Sequence, residues 1–388
     1  ERLRAASGDN LEFAYEALKS YLMLYTPDRF DAEALRAWVS IDWDANLANV
    51  LSAEQRAALG NHLQAALSRG APAAVPPMDK ELVTRVREML VAFPLEFRVF
   101  SRLKRAGVGG DYPEFSVAGA AGPNALQVFE RASGQPLTKG VPGLFTRDGY
   151  HKGFRNATGS VVRQLADEQS WVLGIKAPAG SAKDAAAQAL TMSAEVDERV
   201  RRLYLQEYIK TWDQFIADVR LVKLGGIDRS MAVSRLLAAP DSPLTAYLRA
   251  VARETQLTLP PEQKVGGSTV VGKVDQKLDK AKQELSALVG KVAAPSGAPK
   301  GPPLETMVDQ HFASLHRMVA GTPAPIEETQ KLFNEVFVQL SAIDAAQKAK
   351  TPPPPGGGAA AKAAAAMQPE PIKSMLETLI DAGASQGR

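Results

Sequence analysis

AKDAAAQALTMSAEVDERVRRLYLQEYIKTWDQFIADVRLVKL, residues 182–224, carries Val196, Val200, Tyr204, Tyr208, Trp212, Phe215, Val219 and Val222 at steps of three or four. That spacing is the repeat of a helix with one buried stripe. It predicts a long helix from Ala182 to Leu224, a central strut stopped by Gly225-Gly226. Aromatic residues at this spacing are core residues before they are cofactor contacts.

The same period recurs on the N-terminal side. Leu11, Ala14, Tyr15, Leu18 and Leu22 mark a first helix over Asp9–Leu24, ended by Pro27. A second starts at Asp31 with Leu35 and Trp38, and Ser52 with Gln55 has the spacing of a capping box for a third. An Ala-Pro connector leads to Asp79, which caps a helix carrying Leu82, Val86, Met89, Leu90, Phe93 and Phe97 on one face, interrupted at Pro94. On the C-terminal side, Ser242-Pro243 opens a helix through Leu257, and two more cover Leu304–Ala320 and Ile326–Ala346. The tract TPPPPGGGAAAKAAAA has too little apolar surface to offset ordering, so it reads as disordered or a linker, with a short helix, Ile372–Ala382, stranded beyond it.

Between Gly107 and Gly149 the helical period is lost. Glycine and proline come every few residues, and Phe115–Val117 and Leu126–Phe129 read as small strands. The segment GVPGLFTRDGY, Gly140–Tyr150, is two successive turns that tuck Leu144 and Phe145 into the core, with Gly143 and Gly149 free to take positive φ. The fold is therefore expected to be mainly α, multi-helix and elongated, with a small β- and turn-rich insertion. Its segments are 1–106, an N-terminal helical subdomain; 107–149, the insertion; 150–258, a central helical subdomain; 259–303, a flexible connection; 304–350, a helical pair; 351–371, a Pro/Gly/Ala linker; and 372–388, a terminal helix.

Length and composition narrow the functional classes. With 388 residues the chain is long enough for two or three domains, and 45% hydrophobic with 23% charged residues is ordinary for a globular protein. A formal charge of +3 without a basic block argues against nucleic-acid binding. No cysteine is present, which removes disulfides, thiolate metal sites and cysteine nucleophiles together. A start at Glu1-Arg2-Leu3, with neither initiating Met nor signal peptide, reads as a piece of something longer.

The motifs that could carry chemistry fail on inspection. GSTVVGK, Gly267–Lys273, has the glycine and lysine spacing of a phosphate loop, but Val274 stands where Ser or Thr would hold magnesium. Asp42, Asp44 and Asn46 copy three calcium-loop positions, yet Leu47 replaces the turn glycine and Ala53 the bidentate glutamate. His311 and His316 are five apart, one too many to align on a helix face, and His62 and His151 have no local serine and carboxylate set. No catalytic, cofactor or metal residue is assigned, and the chain is expected not to be an enzyme.

An ordered series of elements does point to a family. It comprises Tyr21–Leu24, the run Phe129-x-Arg131-x-Ser133-Gly134-x-Pro136-Leu137, the turn residues Gly140, Val141, Pro142, Gly143, Leu144, Phe145, Thr146, Gly149 and Tyr150, then Phe154, Trp171 with Gly174, Leu203–Tyr204, Tyr208, Trp212, Ser242–Leu244 and Glu254–Leu257. Over roughly Leu11–Leu340 it resembles the periplasmic portion of the TssM, or IcmF-like, family of bacterial type VI secretion systems. The resemblance implies a structural scaffold of the envelope-spanning membrane complex, multimerising with copies of itself around the channel through which the secretion tube and effectors pass. It implies a partner in the inner membrane, TssL, reached through the full-length chain, and the outer-membrane lipoprotein TssJ. In the family the main TssJ contact belongs to a β-rich carboxyl-terminal domain beyond the helical region at which this sequence stops. It also places this region in the periplasm, as part of an inner-membrane protein. Movement at the Gly266 region and the Pro-Gly-Ala tract would let the assembly open. Two other classes stand beside it: a periplasmic hydrolase of unknown specificity and a free-standing helical adaptor.

Overall fold

The computed structural model describes residues 2–72, 75–175, 182–259, 302–352 and 357–386, with backbone alone at 182–191, 357–359 and 386. The flexible connection expected at 259–303, with its Gly267–Lys273 loop, lies almost wholly outside the described residues. The fold is mainly α, and its one sheet among the described residues has two strands. Contacts divide the chain into two compact units, Glu1–Val108 with Gly153–Tyr204, and Gly109–Lys152 with Leu205–Arg388. Each unit is assembled from two stretches distant in sequence.

The first unit contains α1 (Leu11–Met23), α2 (Ala32–Leu47), α3 (Ala53–Leu67), α4 (Lys80–Leu90), α5 (Leu95–Arg105) and α8 (Arg155–Val172). The caps fall where expected. Asp31 accepts from Ala34 N, Asp79 from Leu82 N, and Ser52 and Gln55 close a reciprocal capping box. Each satisfies helix-terminal N–H groups that have no partner within the helix. Pro94 is the N-cap of α5 and separates it from α4. The buried face of α4 is Val83, Val86 and Leu90, while Phe97 is exposed, so the proline break rotates α5 away from the single stripe expected.

The second unit takes α6 (Val117–Ala121), α7 (Ala125–Val128) and β1 (Phe129–Arg131) from the insertion. It also holds β2 (Val219–Leu221), α10 (Ile227–Ala238), α11 (Pro243–Glu254), α12 (Thr306–His311), α13 (Ala313–Val319), α14 (Pro325–Ala349), α15 (Gly357–Ala366) and α16 (Ile372–Gln386). Between the two strands in sequence runs α9 (Ala182–Asp218), 37 residues long, which belongs to the first unit up to Tyr204 and to the second from Leu205.

Four expectations are corrected here. The long helix ends at Asp218, not Leu224, because Val219–Leu221 pairs antiparallel with Phe129–Arg131, in register Phe129↔Leu221 and Arg131↔Val219. Val219 and Val222 suit a helical step, yet the buried-exposed-buried alternation of Val219, Arg220 and Leu221 is that of a strand. Leu126–Val128 is helical and Phe115 forms only an isolated bridge to Val141, so the insertion has one short strand. The helix expected over Leu304–Ala320 breaks at Phe312, whose ring is buried. Finally, the tract read as a linker contains α15, with Ala365 fully buried, and α16 is docked rather than stranded: Ile372, Met375, Leu376, Leu379 and Ile380 are all buried. The alanine run has high helix propensity, and packing against α16 supplies the burial that its composition lacked.

Candidate functional site

The Gly140–Tyr150 knot lies in the second unit and is held by backbone as much as by side chains. Phe115 and Val141 exchange two bonds, N–H to O, each 2.9 Å. Gly143–Phe145 forms a 3₁₀ turn, and Gly149–Phe154 a π-helical turn that leads into α8. Thr146 links the two turns: its Oγ1 donates to Gly143 O at 2.8 Å and accepts from Gly149 N at 3.1 Å.

The glycines are needed for a different reason from the one expected. Neither Gly143 nor Gly149 has positive φ. A Cβ on Gly143 would instead meet the carbonyl oxygens of Tyr112 and Gly109, the latter at 2.6 Å, and one on Gly149 would meet the carbonyl of Gly143 and that of Leu144 at 2.8 Å. At Gly140 a Cβ would collide with the Phe115 carbonyl and the Phe215 ring. Close approach of backbone to backbone, which a side chain would prevent, explains all three.

Around the knot sits an aromatic core. Trp212 is fully buried and its Nε1–H donates to Phe145 O at 2.9 Å. Phe115 meets Trp212 and Phe215 edge-on, with centroids 4.9 and 5.7 Å apart. Such pairs add roughly 0.5–1.5 kcal/mol each beyond area burial. Tyr150 Oη donates to the buried Glu305 at 2.6 Å. The Phe129–Leu137 run finds its reason here too: Phe129 is core, Arg131 Nε pairs with Asp218 at 2.5 Å, and Ser133 donates its N–H and hydroxyl to the same carboxylate at 2.6 Å each. Burial raises the Asp218 carboxyl, but Ser133 and Arg131 outweigh it and hold it below the usual range.

Trp171 and Gly174 are not brought to the knot; they belong to the first unit. Trp171 is half-buried against Met23, Leu35 and Leu67. Arg87 donates Nη2 to Trp171 O and Nε to Val172 O, each 2.9 Å, closing the carbonyl end of α8, while Gly174 turns the chain with φ +71°. The rest of the signature therefore stabilises a helix end.

A buried charge cluster in the same unit went unread in the sequence. Glu168, 5% exposed, accepts from Lys19 Nζ at 2.6 Å, Arg102 Nη1 at 2.9 Å, Arg102 Nη2 at 3.1 Å and Tyr15 Oη at 3.0 Å. Burial alone would raise its carboxyl; Arg102 and Lys19 prevail and keep it below 4.5. The available signal was a charge set in an apolar stripe, since Glu168 continues the Val162, Leu165, Val172 face of α8.

The motifs set aside in the sequence have structural occupations. Asp42, Asp44 and Asn46 lie on α2, where Asn46 Nδ2 donates to Asp42 and Arg2 pairs with Asp42 at 2.8 Å. His311 pairs with Asp213 at 2.9 Å, His151 donates to Leu257 O at 3.0 Å, and His62 is exposed. His316 lies 2.9 Å from Thr255 Oγ1, and burial lowers its ring below the usual value. Among the described residues no helix is long and apolar enough to cross a membrane.

The chain is 40% identical over 353 residues to a Pseudomonas aeruginosa protein named "Type VI secretion system component TssM1", covering 89% of this chain and 30% of that protein. It thus spans less than a third of the length of that relative. No solved structure matches. The family model described as "IcmF-related: Intracellular multiplication and human macrophage-killing" matches residues 1–256, which takes in the charge cluster, the knot and Trp212. On these grounds the chain is TssM-like and belongs to the IcmF-related family.

Proposed function

We propose that this chain is the periplasmic region of a type VI secretion TssM protein and works as a structural, non-catalytic scaffold. The observation that carries the reading is the 40% identity to TssM1, which covers 89% of the chain and so runs through both compact units. The engagement of the buried polar groups supports it: Trp212, Thr146, Glu168 and Asp218 all hold neighbouring elements together. Copies pack around the channel through which the secretion tube and effectors pass. The full-length protein, anchored in the inner membrane, meets TssL there and the lipoprotein TssJ at the outer membrane.

The test is affinity purification of the full-length protein from detergent-solubilised envelopes of its host, with and without residues 1–388. The complete protein should retain TssL, TssJ and further copies of itself, and the deletion should lose self-association. Unchanged self-association of the deleted protein would refute the scaffold role of this region.

A further inference from the structure

The charge cluster of the first unit does not balance. Its carboxylates, Glu12, Glu16 and Glu168, are taken up by Arg105, Arg102 and Lys19. Arg98 is left over. It is 5% exposed, makes no ion pair among the described residues, and its Nε and Nη1 are buried without an acceptor. Its guanidinium carbon stands 5.0 Å from the Tyr15 ring centroid, and Tyr15 favours its charge both through that ring and as a hydrogen-bond partner, but Nε and Nη1 are left without an acceptor. A buried guanidinium in this position is destabilising unless a counter-charge or acceptor joins it.

Beside Arg98 lies a cavity of about 10 Å³, which Arg102 and Arg105 also line, with Phe93 and Leu165 as apolar walls. Glu12 and Glu16 reach it as well, each already held by arginine. That volume admits one water-sized ligand and excludes sulfate or phosphate. Water would accept an N–H but leave the charge uncompensated; a monatomic anion does both. Burial, and after it the nearby Arg102, bias Arg98 against its charged form, while Tyr15 and Glu168 favour it.

We propose that Arg98, with Arg102 and Arg105 beside it, binds a chloride ion within the first unit. The site is independent of any role in secretion. The test is thermal unfolding of the 388-residue chain in sodium chloride against sodium gluconate at constant ionic strength. Well above half-saturation, the melting temperature of the first unit should rise by about 3–5 °C per tenfold increase in chloride. Bromide should substitute, and Arg98→Met should abolish the dependence. ³⁵Cl NMR of the unmodified chain should show excess linewidth that bromide displaces, a reading that holds if Arg98→Met does not fold. Identical melting in the two salts with no excess linewidth would overturn the site, leaving water on Arg98. So would an equal effect of sulfate, which marks screening, or a chloride dependence that survives in folded Arg98→Met.

Discussion

At the scale of single residues, the knot and the charge cluster fail in different ways when altered. Gly143→Val sets three carbons against the Tyr112 and Gly109 carbonyls, which are backbone and cannot turn aside. We expect a loss at the upper end of the overpacking range, about 3 kcal/mol, read by denaturant unfolding. Gly159→Ala is the control, since a Cβ there meets only the Arg163 guanidinium at 3.7 Å within a helix, and it should stabilise by about 0.5–1 kcal/mol. Glu168→Gln leaves Lys19 buried without its counter-charge and Arg102 with Glu16 alone, at a cost of about 3 kcal/mol. The carboxyl of Glu168 is depressed in the folded chain, so its contribution is complete above its ordinary value of 4.5 and drains away as pH falls through the lower folded value. Unfolding measured from pH 6 down to pH 2 should therefore show an acid limb that Glu168→Gln flattens. An acid limb of unchanged slope would remove Glu168 as its source.

At the scale of elements, periodicity served the helices well and composition served the connections poorly. The stripe Val196, Val200, Tyr204, Tyr208, Trp212, Phe215 is buried throughout, and the caps at Asp31, Ser52 and Asp79 form as their spacing requires. The strand after Asp218 could not be told from helix, because its partner is 90 residues away and three residues hold too little period to decide. The site was legible in part: the knot residues stood out by glycine and proline, but positive φ was the wrong reason. The crowding carbonyls of Tyr112 and Gly109 belong to a strand-free turn that no local pattern reveals. Glu168, Lys19 and Arg102 come from three helices, so only the fold unites them. The tract before α16 was misread because alanine counts as low complexity in sequence and as small, close-packing surface in a helix pair. Ala365→Glu would bury an unpaired carboxylate where α15 meets α16. A loss of about 2 kcal/mol or more is expected, with faster hydrogen exchange in α15 and none of the change reaching α1. Uniform exchange across both units would mean that α15 is not a separately docked element.

At the scale of the whole molecule, the two units use their polar groups to bind elements of the same chain, and the relation to TssM1 extends across both. The proposed scaffold could assemble only if it folds, so under that proposal assembly and stability should fall together in knot variants. The most direct test is the mass of detergent-solubilised full-length protein by mass photometry, for the unmodified protein and for Gly143→Val, with the melting of each recorded. A multimer for the unmodified protein, and its loss in a Gly143→Val protein that also melts early, is the expected result. A monomer for the unmodified protein would contradict the scaffold, and a Gly143→Val protein that melts normally yet fails to assemble would make the knot an interface instead of a packed core.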